Sequence, residues 1–330
     1  MSGLLARGLR GGAGLWCLLM LSCAPLPEGG RIQERTRQAL DPILHPASAL
    51  WGDLLIEPGT FEADTGVRPW SGYWFPLSGN ESESALLKLD RVTGRQALKW
   101  FRADKLHSDR PALPWEGRCD AWALASLLVP EPSAPLEIQG ERFEVWEQQA
   151  LWIHSFEELD PSFRSILGSR NDGDGGSPFE DLLPMELHLV VQKRLLEERL
   201  PFVLDRDPKP PVWNTPIWGA RWTLSRDPEG DSFGLRSWRV AMDLYGVLPL
   251  DQLPIQPERR VVVLHYDYRL RGVPLDDGKF RVEDSEWLGA SRLDHPDFVT
   301  LPLAKTPFDS NQHRSSNPEI DSSWLHTHFK

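Results

Sequence analysis

The apolar and polar positions divide this chain into a helical first part and a β-rich second part. Ser84–Arg91 reads as a helix, and residues 145–165 are helical in composition and rich in aromatic side chains. Asp120–Leu128 reads as a buried helix. Ala121, Trp122, Leu124, Ala125, Leu127 and Leu128 leave it almost no polar face, and Pro130 stops it. Leu187–Val191 and Pro201–Leu204 read as two apolar strands, although Gln192–Leu200 equally extends a helix from the first. Strands follow at Ser237–Met242 and at Arg260–Leu270, the latter alternating from Val263 to Leu270. Asp276-Asp277-Gly278-Lys279 supplies a turn ahead of a strand at Phe280–Glu283. Helices first and strands after, with no βαβ alternation and no internal repeat, predict an α+β fold.

The first fifty residues follow neither pattern. Arg7 and Arg10 precede a glycine-rich stretch and a seven-residue apolar run, Leu15–Leu21. A helix needs about 20 residues to cross a bilayer, so the run fits the apolar region of an export signal instead. Met20-Leu21-Ser22-Cys23 resembles a bacterial lipobox, in which the cysteine becomes lipidated and N-terminal. Residues 1–22 are then a lipoprotein signal peptide, with Cys23 the anchor to a membrane of the bacterial cell envelope. The alternative is an ordinary secretory signal cleaved near Ala24. Residues 23–50 form a polar tether with one short helix at Ile32–Leu40, 51–305 a folded domain, and 306–330 a polar, loosely held tail.

Composition narrows the function. The chain has 330 residues, is 40% hydrophobic and carries a net charge of −12. This is a folded soluble composition without the basic face that nucleic acid requires. Fifteen Trp fill cores or line grooves. The three cysteines stand at 17, 23 and 119. With Cys17 lost in the signal and Cys23 lipidated or in the tether, Cys119 is left without a partner. Exported cysteines are usually paired, so an unpaired one points to a reactive thiol; the alternative is a small buried hydrophobe.

Cys119 stands at the first turn of the apolar helix, after Gly117 and Arg118. The N–H groups of a helix start favour thiolate and can hold an oxyanion. Asp120 works in the opposite sense, and Arg118 cannot accept a proton. A histidine base is therefore expected. His188, in an apolar run, and Asp205, at the end of the next, are the candidates for base and orienter, in the order Cys, His, acid. Asn214 is a rival third member, and a structural role for His188 remains the alternative. The other histidines considered, His107, His154, His265 and His295, lack metal-ligand spacing. A cysteine base pair of this kind predicts fast labelling of Cys119 by an electrophile at neutral pH, slowed by His188→Ala.

From Pro69 to about Phe298 the chain resembles the transglutaminase elicitor family, secreted acyl transferases best known from oomycete plant pathogens, with bacterial relatives. Pro69-Trp70-Ser71-Gly72-Tyr73-Trp74-Phe75-Pro76 resembles the family's Trp-Pro-x-x-Tyr-Trp-Pro block, and Gly117-Arg118-Cys119-Asp120-Ala121-Trp122-Ala123 its nucleophile motif. Leu187-His188, Phe202-Val203-Leu204-Asp205 and Val212-Trp213-Asn214-Thr215-Pro216 follow in order, then Ser285-Glu286-Trp287-Leu288-Gly289 and His295-Pro296-Asp297-Phe298. Asp120 replaces the family's usual histidine and Thr215 its usual glutamine, and the disulfides of the oomycete proteins have no counterpart.

The resemblance implies a transglutaminase or papain-like fold, with the nucleophile at the N-terminus of a buried helix packed on an antiparallel sheet. It implies a catalytic domain over 51–305 in which Cys119 forms a thioester with a peptidyl glutamine, and a lysine amine resolves it. His188 would be acid and base, Asp205 its orienter, and Asn214 a supporting or rival group. Trp115, Trp122 and Trp213 are candidate groove walls that exclude water. A papain-like peptidase or amidase using the same residues, and a non-catalytic surface lipoprotein, are the rival readings. No cofactor is expected. Calcium at Asp172 and Asp174 is a minor alternative, because the loop from Asn171 has Leu182 where an EF-hand has its closing acid.

Overall fold

The computed structural model describes residues 46–106, 111–157, 164–168, 181–206, 211–232, 234–253, 259–302 and 315–329. The first helices are α1 (Pro46–Trp51), α2 (Glu83–Thr93), α3 (Ala97–Leu106), α4 (Cys119–Leu128) and α5 (Val145–Ser155). Between them lie short strands β1 (Leu55–Ile56), β2 (Gly59–Asp64), β3 (Leu136–Ile138) and β4 (Glu141–Phe143). β5 (Arg164–Gly168), α6 (Pro184–Val190), a π-helical turn (Val191–Glu197) and β6 (Phe202–Asp205) lead into the main sheet. Its long strands are β7 (Asn214–Arg226), β8 (Arg236–Leu248), β9 (Arg260–Pro274) and β10 (Phe280–Trp287), followed by β11 (Phe298–Pro302) and helix α7 (Ser322–His328).

The sheet has nine strands, ordered β1-β10-β9-β8-β7-β6-β11-β5, with β2 paired to β7. All its pairs are antiparallel. Strands of sequence-adjacent position pair as hairpins, which is how helices first and strands after become an α+β fold. Along β8, Trp238, Val240, Met242 and Leu244 are buried while Arg239 and Ala241 are exposed, so the alternation sends one face inward.

Two apolar cores sit on the sheet. One gathers α1, α6 and the π-helical turn over residues such as Phe202, Leu204, Trp222, Met242 and Tyr268. The other gathers α2 to α5 and α7 over Val203 and Val247. Because successive residues of β6 point to opposite faces, Val203 belongs to one core while Phe202 and Leu204 belong to the other. Each face of the sheet thus carries its own helical layer.

Four sequence expectations are corrected. Leu187–Val191 is not a strand but the end of helix α6 and the start of the π-helical turn. The cause is visible locally: Pro184 opens the helix, and the Glu186 carboxylate accepts from the Leu183 N–H at 2.7 Å, capping it. The helical reading of 145–165 ends at Ser155, and Arg164–Gly168 pairs with β11 instead. The long strand β7 was not anticipated. Finally, residues 315–329 are not a loose tail, since Ile320, Leu325 and Phe329 bury into the helical core and Asp321 caps α7. The predicted helix at Ile32–Leu40 lies outside the described residues.

Candidate active site

The aromatic segment 70–76 fixes where α4 begins. The Arg118 N–H donates to the Trp74 carbonyl at 2.8 Å, and Pro76 bridges to Gly117. Gly117 is needed for this approach and not for an unusual φ, since a Cβ there would overlap the Trp74 ring. On the far side, the Trp70 indole N–H donates to the Val129 carbonyl at 3.1 Å, and the Trp122 indole N–H to the Trp70 carbonyl at 3.2 Å. The buried helix is therefore tied to one aromatic segment at both ends, and its first residue, Cys119, is held with it.

Helix α4 lies against β6 and β7, which bring two polar residues to the thiol. Asp205 and Asn214 are direct partners across the β6–β7 ladder. Asn214 Nδ2 donates to Cys119 Sγ at 3.5 Å, and the thiol donates to the Val212 carbonyl at 3.7 Å. Asp205 is fully buried, and its Oδ1 accepts the Trp213 N–H at 2.8 Å. Burial pushes the Cys119 thiol up to about 11, with Asp120 and Asp205 adding to the rise and the Asn214 donors opposing it. The resting group is a neutral thiol. Desolvation thus outweighs the helix start and works against the fast labelling at neutral pH that the sequence predicts.

Arg118, next to the nucleophile, is directed elsewhere. Its guanidinium pairs with Glu157, reaches the Phe75 carbonyl at 3.4 Å and lies 5.2 Å from the Phe101 ring centre. Glu157 also bonds His154 Nδ1 at 3.0 Å, and His154 Nε2 meets Ser82 Oγ at 2.8 Å. Burial holds His154 well below the usual histidine range, with Arg118 and Lys105 adding to the effect. This polar chain anchors the residue before Cys119. Sequence reasoning missed it, because Arg118, His154, Ser82 and Glu157 come from three separated segments.

His188 is not brought to Cys119, and this corrects the proposed triad. Its helix, α6, packs on the opposite face of the sheet from α4. There His188 Nδ1 bonds the Tyr268 hydroxyl at 2.6 Å, and the ring stands edge-on to Trp222. Strand neighbourhood was the premise that placed His188 beside Asp205, and a helical Leu187–Val190 removes it. Asn214 bonds the thiol, and Asp205 stands opposite Asn214 in the ladder, without an imidazole.

Trp122 is fully buried in the helical core and forms no groove wall, whereas Trp115 and Trp213 are half-buried near the loop ends that frame the thiol. Asp120 is exposed at the first turn of α4. His265 bonds Asp243 at 2.7 Å, and His295 stacks on Trp287 with ring centres 5.3 Å apart, so the last two sequence blocks meet in space. Cys17, Cys23, His107, Asp172 and Asp174 lie outside the described residues.

No protein-family model matches the sequence, and no curated protein matches it. Among solved structures, the fold is similar to the crystal structure of the GP42 transglutaminase from Phytophthora sojae. The TM-score is 0.65 at 18% identity, and the match covers 89% of this chain and 97% of that chain. At that identity the likeness is one of fold, and the chain has a transglutaminase-like fold of mixed α+β type.

Proposed function

We propose that this protein is a transglutaminase-like cysteine acyl transferase in which Cys119, Asp205 and Asn214 carry the chemistry. The reading is supported chiefly by a thiol at a helix start that accepts from Asn214, whose ladder partner is the buried Asp205 carboxylate, within a transglutaminase-like fold. Asp205 takes the proton of Cys119 as the sulfur attacks the γ-carboxamide carbon of a peptidyl glutamine. Asn214 Nδ2 stabilises the negative sulfur by donating to it. The C–S bond forms, the C–N bond breaks, and the proton held by the carboxylate leaves with ammonia. A lysine amine then attacks the thioester, forming the isopeptide and returning the thiol. Burial keeps the nucleophile neutral until a substrate carbonyl arrives, which limits its side reactions in the resting protein.

The N-terminal pattern supports export, with Cys23 lipidated and the domain tethered at a membrane of a bacterial cell envelope. Calcium bound at the Asp172–Asp174 loop is a secondary proposal that rests on sequence alone.

The test is incorporation of a fluorescent primary amine into a glutamine-bearing protein. The expected result is incorporation by the wild type and background levels in Cys119→Ala. Release of ammonia without amine incorporation would assign the same residues to a hydrolase. Activity surviving in Cys119→Ala would sink the thiol reading.

A further inference from the structure

A cavity of about 310 Å³ opens on the sheet face opposite the thiol, within the size range of small-molecule sites. Its apolar wall includes Phe61 and Trp222, which stack with ring centres 5.5 Å apart, together with Leu196 and Leu224. His188 lines its floor and is 2% exposed. The Tyr268 hydroxyl occupies Nδ1 of that ring at 2.6 Å, while Nε2 carries no hydrogen bond among the described residues. As the ring lines the cavity, that nitrogen can meet a hydrogen-bonding group of a molecule seated there.

The cavity wall is also irregular in backbone. Leu196 and the rim residues Lys193 and Glu197 belong to the π-helical turn Val191–Glu197, a widened geometry frequent at functional sites. Lys193 and Glu197 bond each other at 2.8 Å, so the rim charges contributed by this turn are already paired. Asp53, Glu57 and Lys279 add both signs. Neither a strong cation nor a strong anion is favoured by such a rim. Burial holds His188 down to about 3, so its ring is neutral and Nε2 is a donor in one tautomer and an acceptor in the other. A hydroxyl can satisfy either.

We propose that this cavity binds a small neutral aromatic molecule bearing a hydroxyl group, its ring against Phe61 and Trp222 and its oxygen on His188 Nε2. The site is separate from the thiol and does not depend on acyl transfer.

The test is a titration of the full chain, carrying ¹⁵N-labelled histidine, with p-cresol and with toluene, followed by NMR. The His188 resonances are assigned by their loss in His188→Phe. The expected result is a saturable shift of His188 Nε2 with p-cresol, and binding of toluene weaker by about tenfold, the value of one hydrogen bond to a buried group. Leu196→Trp, which fills the cavity, is expected to abolish the p-cresol response. The proposal is overturned by an unmoved His188, by equal affinity for the two probes, or by a response that persists in Leu196→Trp. Should that variant not fold, the p-cresol and toluene comparison in the wild type decides alone. The readout involves no turnover, so its failure leaves the acyl-transfer reading intact.

Discussion

Of the buried titratable groups, Cys119 lies on one face of the central sheet and His188 on the other. Burial acts on both by disfavouring charge, which drives the thiol up to about 11 and the imidazole down to about 3. Their surroundings then diverge. Cys119 has Asn214 donating to its sulfur and Asp205 beside that amide in the ladder, so a negative sulfur has a donor and its proton has a nearby acceptor. His188 has the Tyr268 hydroxyl and the Trp222 ring, neither of which carries a negative charge to balance an imidazolium. The comparison teaches that the polar partners, and not the depth of burial, separate a site built for reaction from one built for holding a neutral molecule.

The comparison breaks most visibly at the thiol. Asp205→Asn keeps the shape of the side chain and removes its proton affinity, and amine incorporation is expected to fall by about 100-fold or more. Asn214→Ala removes one donor to a developing charge, and a loss of about tenfold is expected. The same kinetic assay measures both, and an Asp205→Asn enzyme with near wild-type rates would remove Asp205 from the mechanism.

A smaller effect lies on the imidazole face. Unfolded His188 binds a proton near its ordinary value of 6.5, whereas the folded ring does so only near 3. Between those values the unfolded state alone takes up the proton, so this histidine lowers stability as pH falls, by about 1.4 kcal/mol per pH unit. His188→Phe cannot titrate and should show a correspondingly shallower decline in urea unfolding between about pH 6 and pH 3. His154, buried with the same sign, stays in both proteins and cancels in the difference. Parallel profiles would place His188 in a wetter site.

The smallest expected effect is none at all. Alkylating Cys119 with iodoacetamide at high pH should leave the His188 ring resonances unmoved at neutral pH, since the sheet stands between the two groups. A shift on alkylation would reconnect them and revive the triad.

Several parts of this arrangement were legible in the chain. The α4 helix was readable because its residues are apolar on every side and Pro130 ends it. The β9–β10 hairpin was readable from alternation and from Asp276-Asp277-Gly278-Lys279. The α6 segment was misread because a run buried on all sides has no period to distinguish helix from strand. Its signal was the pair Pro184 and Glu186, one residue opening the helix and the other capping it. β7 also left a trace, with Ala220, Trp222 and Leu224 buried and Arg221, Thr223 and Ser225 exposed. In the final segment, Asp321 before Ser322-Ser323-Trp324-Leu325 is a helix start, and the apolar Ile320, Leu325 and Phe329 bury there.

By itself the sequence determined that Cys119 opens a buried helix, that Asp205 ends an apolar strand and that Asn214 follows a short return. Local pattern suffices for such statements, because apolar runs and breakers act over a few residues. Only the tertiary structure decided which of these groups meet. The ladder register sets Asp205 opposite Asn214, and side-chain alternation assigns Phe202 and Val203 to different faces. The layer to which α6 docks then carries His188 away from the thiol, because a sheet one residue thick separates whatever packs on its two sides.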